Sequence, residues 1–312
     1  MLKGGNVLNR ARHFHRGRVM HNKLLKVLAC PICKTPLTFN GGASEYRLTN
    51  GILKCDKGHV YQVKEEIGLV KDAKLSANEF EWKVDVADER RFEEIQRQYS
   101  AYLREDQKVA LEKLKDKLVH YVAASFDELD GMVLDIASGM GRFILHLAEK
   151  SPEKMLIIGT DVDEKPLRGA MNKAKKAEFY NKLSFVVTDA KRLAFKSESF
   201  KTISSFFGFD NIPETVLALQ ESFRVLKSGG KAIFASIWYK EGSKSMQVAE
   251  QYGVAQIASE KRLKRALEKT GFTLERIEDI YSGVWPYHPM DLLPIEGDEY
   301  FHVIVEARKP FE

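Results

Sequence analysis

The sequence predicts an α/β protein: a seven-stranded, mostly parallel sheet with helices on both faces, preceded by a small cysteine-bearing module. Three observations carry this. From residue 131 onward, short apolar runs alternate with amphipathic stretches, as strands do when crossover helices link them. The first run, Met132 to Ile136, leads through a turn with two glycines into a helical stretch, Arg142 to Lys150. All three cysteines fall between residues 30 and 55, far from that alternating region.

A chain of 312 residues with 44% hydrophobic and 30% charged side chains has the composition of a soluble globular protein, with length for more than one domain. No apolar run approaches the roughly 18 residues of a membrane span. The N-terminus lacks the apolar segment of a signal peptide, so the cytoplasm is the expected location. The net charge of +5 is uneven. No Asp or Glu precedes Glu45, whereas Lys3, Arg10, Arg12, Arg16, Arg18, Lys23, Lys26 and Lys34 do. Such an arm (1–22) suits nucleic-acid phosphates or is a solvated tail, and Met20 is an alternative start.

Residues 23–75 form the module. Cys30-Pro-Ile-Cys33 and Cys55-Asp-Lys-Gly-His59 are two short pairs separated by a loop. Each pair on a tight knuckle gives two ligands, and thiolate with imidazole suits Zn²⁺. Pro31 and Gly58 are turn residues at the knuckles, and short strands are expected at Glu45–Leu48 and Gly51–Cys55. Cys30, Cys33, Cys55 and His59 together close a tetrahedral site, so the metal is expected to be structural; the alternative is a metal-free hairpin. The module resembles the zinc ribbon of the ribosomal RNA guanine-N1 methyltransferases, which has Cys-Pro-x-Cys, then Cys-x-x-x-His and an aromatic, here Tyr61. Lys64–Val70 resembles the segment that follows in that family, whose ribbon contributes to RNA recognition. Leu24 to Pro31 is also similar to small ribbon proteins that partner methyltransferases.

Residues 76–130 read as a helical connector. Glu79 to Arg91 is densely charged around Phe80 and Trp82. Apolar spacing from Phe92 to Ala124 predicts two helices. Tyr99 and Tyr102 are either pocket residues or core.

In residues 131–312, strands are expected near 132–136, 155–160, 183–187, 201–206, 230–237, 272–281 and 300–308. Helices are expected near 142–150, 164–177, 213–226 and 259–270. Asp161 ends the second strand, where an acid accepts hydrogen bonds from both ribose hydroxyls of a nucleoside. That suits a nicotinamide cofactor or S-adenosyl-L-methionine. Asp135 favours the second, because a carboxylate beside the glycine turn repels a pyrophosphate and attracts a sulfonium and an amino group.

Asp135-x-Ala137-x-Gly139-x-Gly141 resembles the first motif of the class I S-adenosylmethionine-dependent methyltransferases, with Ala137 where that family has its first glycine. The resemblance covers about 130–310 and implies a seven-stranded Rossmann-like methyltransferase sheet. Phe185-Val-Val-Thr-Asp189-Ala190, Leu193 to Ile203 and Glu221 to Lys231 fall in the family's order, with Lys227, Gly229 and Gly230 read as a helix cap and turn. It implies that Asp189 meets the adenine amino group and the N–H of Ala190 a ring nitrogen. The implied cofactor set is Asp135, Ala137, Gly139, Gly141, Asp161, Val162, Asp189, Ala190 and Phe206. Phe206-Phe-Gly-Phe-Asp-Asn211 is similar to the Phe-Gly-x-x-Asn of quinone-biosynthesis C-methyltransferases. Either Phe206 or Phe207 flanks the sulfonium, or both simply cover the sheet edge.

Methyl transfer is an in-line displacement that depends on alignment, with a base needed only if the acceptor loses a proton. The Asp/Asn-Pro-Pro-Tyr motif of amino-group methyltransferases is absent, and the region from 131 onward has no cysteine for covalent pyrimidine chemistry. Asp210, Tyr281, Trp285, Tyr287 and His288 lie near the expected acceptor side, and none is singled out as a base. The stretch Ser282 to Asp298 is either a lid or a surface loop. The expected function is a methyltransferase with an RNA acceptor, ribosomal in kind. The alternatives are a small lipophilic acceptor such as a quinone, and a non-catalytic module that holds cofactor and binds a protein partner. The sequence leaves the oligomeric state open.

Overall fold

The computed structural model describes residues 20–44, 47–72, 89–126 and 131–311. Residues 79–88 of the charged stretch, with Phe80 and Trp82, and most of the basic arm lie outside the described residues. Met20–His21 forms a short strand, β1, inside the stretch expected as arm. It is followed by β2 (Leu37–Ser44), β3 (Arg47–Cys55), β4 (Val60–Lys64) and β5 (Ile67–Leu69). The described part of the expected strand at 45–48 joins that at 51–55 in one strand, β3, and its hairpin partner β2 was not foreseen. Side chains of β4 alternate between exposed and buried, as in a strand with one face on a core.

Two helices follow, α1 (Glu89–Tyr102) and α2 (Glu105–Ala124). Ala110, Leu114, Leu118 and Val122 of α2 recur every four residues and are buried, which fixes its inward face. All seven strands expected beyond residue 131 are present: β6 (Met132–Asp135), β7 (Leu156–Asp161), β8 (Leu183–Val187), β9 (Phe200–Phe206), β10 (Leu226–Tyr239), β11 (Thr273–Val284) and β12 (Glu299–Arg308). The helices are α3 (Arg142–Lys150), α4 (Glu164–Ala174), α5 (Thr215–Val225), α6 (Lys244–Gln251) and α7 (Glu260–Thr270). Asp163 caps α4, accepting from Lys165 N at 3.0 Å. Lys227, Gly229 and Gly230 lie within β10 as an irregularity at its start, rather than as a turn before it.

The strands form one sheet in the order β1-β3-β4-β5-β8-β7-β6-β9-β10-β12-β11, with β2 on β3. From β8 to β10 the pairing is parallel, and β12 runs antiparallel to both β10 and β11. Every residue of β8 is buried, as expected of an inner strand covered on both faces. One face packs on α2, α3 and α4 through Leu114, Leu118, Phe143, Leu147 and Leu167. The other packs on α5 and α7 through Leu219, Leu263 and Leu267, and also takes Leu24 and Leu28 of the cysteine module.

The module is therefore built into the sheet. Strand β5 pairs in parallel with β8, placing Ile67, Gly68 and Leu69 beside Phe185, Val186 and Val187. His21 N donates to Ser184 Oγ at 3.0 Å, and Ala29 N to Ala194 O at 2.9 Å. Lys34 adds an ion pair with Glu221 at 2.8 Å. Without the module, β8 would be an unpaired edge of apolar residues.

Candidate active site

In an open parallel sheet, ligands bind beyond the carboxyl ends of the strands where the strand order reverses. Here that place lies between β6 and β9. Asp135 ends β6 and is 1% exposed. Its Oδ2 accepts from Ser138 Oγ and its Oδ1 from Ser204 Oγ, both at 2.6 Å. Burial pushes its carboxyl up to about 7, against the pull of those two hydroxyls, with the charge of Asp161 adding to the rise. Asp161 ends β7 and is likewise pushed up to about 6 by burial. Its Oδ2 accepts from Gly139 N at 2.9 Å and its Oδ1 from Asp163 N at 3.1 Å.

The loop between β6 and α3 is held on both sides. Ser138 N donates to Thr160 O at 2.7 Å, and Thr160 Oγ1 to Asp135 O at 2.7 Å. Its two glycines do different work. At Gly141, φ is +76° and an added Cβ would lie 2.7 Å from Ala170 Cβ, so its lack of a side chain lets α4 close in. At Gly139, φ is +52° and an added Cβ would meet nothing within 4 Å. Open space in front of backbone is what a ligand approaching the loop requires. Ala137 holds a φ of +52°, a conformation that glycine adopts more readily.

The sequence-predicted residues distribute as follows. Asp135, Ala137, Gly139, Gly141 and Asp161 gather around this one loop. Val162 follows it, and its carbonyl accepts from Lys71 Nζ at 3.0 Å, so the cysteine module reaches the loop after β7. Asp189 stands beyond β8, where its side chain caps a short turn by accepting from Lys191 N at 2.8 Å; Ala190 begins that turn. Phe206 ends β9 and stacks on Phe143, ring centroids 5.9 Å apart and 7° from parallel.

On the side expected to take the acceptor, Phe207 leans on Phe206 (4.7 Å) and on His302 (5.1 Å). Asp210 accepts from Ser236 Oγ at 2.6 Å. Tyr281 is paired with Asp106 at 2.5 Å. The segment 285–298 packs onto the end of α1: Tyr99 Oη donates to Asp291 Oδ2 at 2.9 Å, and His288 lies 4.3 Å from the Tyr99 ring. Trp285 is buried, whereas Tyr287 is 61% exposed. Tyr102 faces solvent with its edge on His288.

The sequence reading missed Ser138, Thr160, Ser204 and His302. Ser204-Ser205, two adjacent hydroxyls at the carboxyl end of a buried strand, were the available sign.

In the cysteine module, the ligand atoms of Cys30, Cys33, Cys55 and His59 all lie within 4.8 Å of one another. Cys33 Sγ is 3.7 Å from Cys55 Sγ, and His59 Nδ1 is 3.5 Å from Cys30 Sγ and 3.3 Å from Cys55 Sγ. Four donors about 2.0–2.3 Å from a shared centre have such spacings, so this set fits tetrahedral zinc. Tyr61 Oη, 3.1 Å from Cys30 Sγ, supports the cluster from outside.

Comparison with known proteins agrees with this geometry. Residues 21–119 match the Trm112p-like protein family. Ubiquinone/menaquinone biosynthesis C-methyltransferases of Rickettsia are similar to part of the chain. That of R. felis is 36% identical over 108 residues, covering 34% of this chain and 44% of its own length. That of R. bellii is 34% identical over 122 residues, covering 38% and 48%. The chain thus spans less than half the length of these curated relatives. The solved structure of the MccD protein matches with a TM-score of 0.50 at 19% identity, over 63% of this chain and 96% of that one, and so shows the fold. The relatives' names lend no support to the ribosomal RNA expectation. No helix among the described residues is long and apolar enough to cross a membrane. Residues 92–254, more than half the chain, match the ubiE/COQ5 methyltransferase family, and the chain belongs to that family.

Proposed function

We propose that this chain transfers the methyl group of S-adenosylmethionine to carbon of a small lipophilic acceptor of hydroquinone type, and that its ribbon holds a structural zinc. The observation that carries the reading is the loop's one open glycine. Gly139 has free space before it, yet its N–H is already taken by the Asp161 carboxylate. A pyrophosphate needs such N–H groups for itself and would meet two buried acids instead. A cofactor with a sulfonium and an ammonium group gains from the same two acids.

Bound S-adenosylmethionine supplies a methyl group already activated by positive charge. The chain's own residues bind and align. Asp161 faces the nucleoside side of the loop, and Asp135, fixed by Ser138 and Ser204, supplies negative potential beneath it. The Phe143–Phe206 stack offers an aromatic face to the sulfonium. The names of the Rickettsia relatives support a quinone-related acceptor. Chemistry adds a constraint: a quinone ring is electron-poor, so the ring that attacks a methyl cation equivalent must be in its hydroxylated, reduced form. The Trm112p-like match supports a ribbon that serves a methyltransferase, here within one chain.

The test is transfer of labelled methyl from S-adenosylmethionine to a prenylated hydroquinone, with ribosomal RNA in parallel. Label in the hydroquinone alone supports the reading. Label in RNA alone, or in neither, overturns it.

A further inference from the structure

We propose that Asp210 takes the proton of the acceptor's hydroxyl group during transfer, an assignment that rests on the small-molecule reading above. Asp210 sits in a single tight turn, Phe209–Asn211, directly beyond β9 and four positions after Phe206. The turn is braced: Asn211 Nδ2 donates to Phe207 O at 2.8 Å, and Phe207 itself has a φ of +59°. The two carboxylate oxygens differ. Oδ1 accepts from Ser236 Oγ at 2.6 Å and from Ile237 N at 3.3 Å, which fixes the group against β10. Oδ2 is buried and has no hydrogen-bond partner. A buried carboxylate oxygen left unpaired is rare, and it marks a place where a donor is expected. Burial, with the charges of Asp210 and of Asp291 from segment 285–298 adding to it, holds the Tyr239 hydroxyl well above its ordinary pKa. Asp210 follows β9 and Tyr239 ends its parallel neighbour β10, so both lie at the same strand ends as Asp135.

Among the described residues, three other buried side-chain atoms lack partners: Trp238 Nε1, Trp285 Nε1 and His302 Nδ1. The indole nitrogens are donors only. His302 is the one competitor, wedged among Phe207, Tyr300 and Tyr281. Burial lowers its pKa to about 3, so it holds a proton poorly. Burial raises Asp210 to about 7, opposed only by its hydrogen bonds from Ser236, Ile237 N and its own N–H. A base whose pKa lies near the working pH is both free to accept and able to retain the proton.

The step balances. Asp210 accepts the hydroxyl proton, leaving a phenolate. The ring carbon's electron pair bonds to the methyl carbon while the carbon–sulfur pair goes to sulfur, giving a neutral thioether. The dienone then tautomerises, losing its ring proton as the oxygen regains one, and Asp210 releases its own proton to solvent, so that one proton is released per methyl transferred.

The variant Asp210→Asn preserves an acceptor for Ser236 and tests the assignment in two ways. In the apo protein labelled at aspartate carboxyl carbons, Asp135, Asp161 and Asp210 are expected to titrate between about pH 6 and 7, and the variant is expected to lack one of these three titrating resonances while keeping the other two. With cofactor and a prenylated hydroquinone, kcat is expected to fall at least about 100-fold. The limb of the rate profile near neutral pH disappears, while S-adenosylhomocysteine binds within about threefold of wild type. Asp210→Glu is expected to recover part of the rate and the pH limb. A variant that keeps the wild-type rate and profile overturns the assignment alone. So does one that loses S-adenosylhomocysteine binding, because the role is then structural. Wild-type protein that transfers no methyl overturns the functional reading and this assignment together.

Discussion

The methyl group of Ala137 and the bare α-carbon of Gly208 are fitted to each other. A Cβ added at Gly208 would lie 2.8 Å from Ala137 Cβ, 2.6 Å from Ile136 O and 2.5 Å from Ser205 Oγ. The loop after β6 thus carries an alanine at a φ of +52°, and the turn after β9 makes room for it. Left-handed backbone costs an alanine about 1–2 kcal/mol more than a glycine, partly offset by the greater chain entropy that glycine loses on folding. Ala137→Gly is therefore expected to leave stability within about 1 kcal/mol of wild type. Gly208→Ala has three contacts under 3 Å to relieve and is expected to cost about 2–3 kcal/mol. Denaturant unfolding of the two variants checks this ordering, and equal losses would contradict it.

The two loop glycines separate packing from ligand space. Gly141→Ala drives a methyl into Ala170 and is expected to destabilise by about 2–4 kcal/mol. Gly139→Ala meets no neighbour, so its stability loss is expected to be about 1 kcal/mol, the backbone term alone. Its methyl group instead fills the approach to the loop, and cofactor affinity is expected to fall at least about tenfold, or 1.4 kcal/mol. Thermal unfolding beside calorimetric titration with S-adenosylhomocysteine distinguishes the two effects.

How much of this was legible from sequence follows the range of the interactions. The strands from β6 to β12 were legible because each is a long apolar or alternating run between turn residues. Helix α6 was missed because Lys244–Gln251 buries only Ser245, Met246 and Ala249, too short a stretch to establish a period. Strand β2 was missed because Gly41 and Gly42 interrupt it; an added Cβ at Gly41 would strike the Asn50 carbonyl at 2.4 Å. The positions of Asp135 and Asp161 were readable, being strand ends near glycines. Their wiring was not, since the Asp135–Ser204 bond joins positions 69 residues apart. Pairing of β5 with β8 is likewise a long-range register that no local pattern encodes.

Asp135 makes the apo protein's stability fall as pH rises. Its folded pKa, about 7, lies above its ordinary 3.8. Between those values the folded chain binds more protons than the unfolded one. The contribution is complete below about pH 4 and is lost as pH rises through 7. At about 1.36 kcal/mol per pH unit, this span corresponds to about 4 kcal/mol at most. Apo Asp135→Asn is expected to show a flatter decline in Tm between pH 5 and 8. A decline as steep as wild type would mean that Asp135 does not titrate there. Cofactor should weaken the dependence in wild type, because its positive charge stabilises the ionised carboxylate.

Zinc is expected to hold the module on the sheet. Removing it by chelation, or replacing Cys33 with Ser, should lower bound zinc from about one per chain to well under half. Because β5 covers the edge of β8, loss of the module's fold exposes that edge, and self-association should follow. Light scattering after chelation checks this. A zinc-free protein that stays monomeric with unchanged Tm would contradict it.

The most direct test of the central claim is calorimetric titration of wild type and Asp161→Ala with S-adenosylmethionine and, separately, with NADH. A carboxylate-flanked loop predicts one S-adenosylmethionine per chain, affinity weakened at least about tenfold in the variant, and no heat from NADH. Saturable NADH binding without S-adenosylmethionine binding would contradict it.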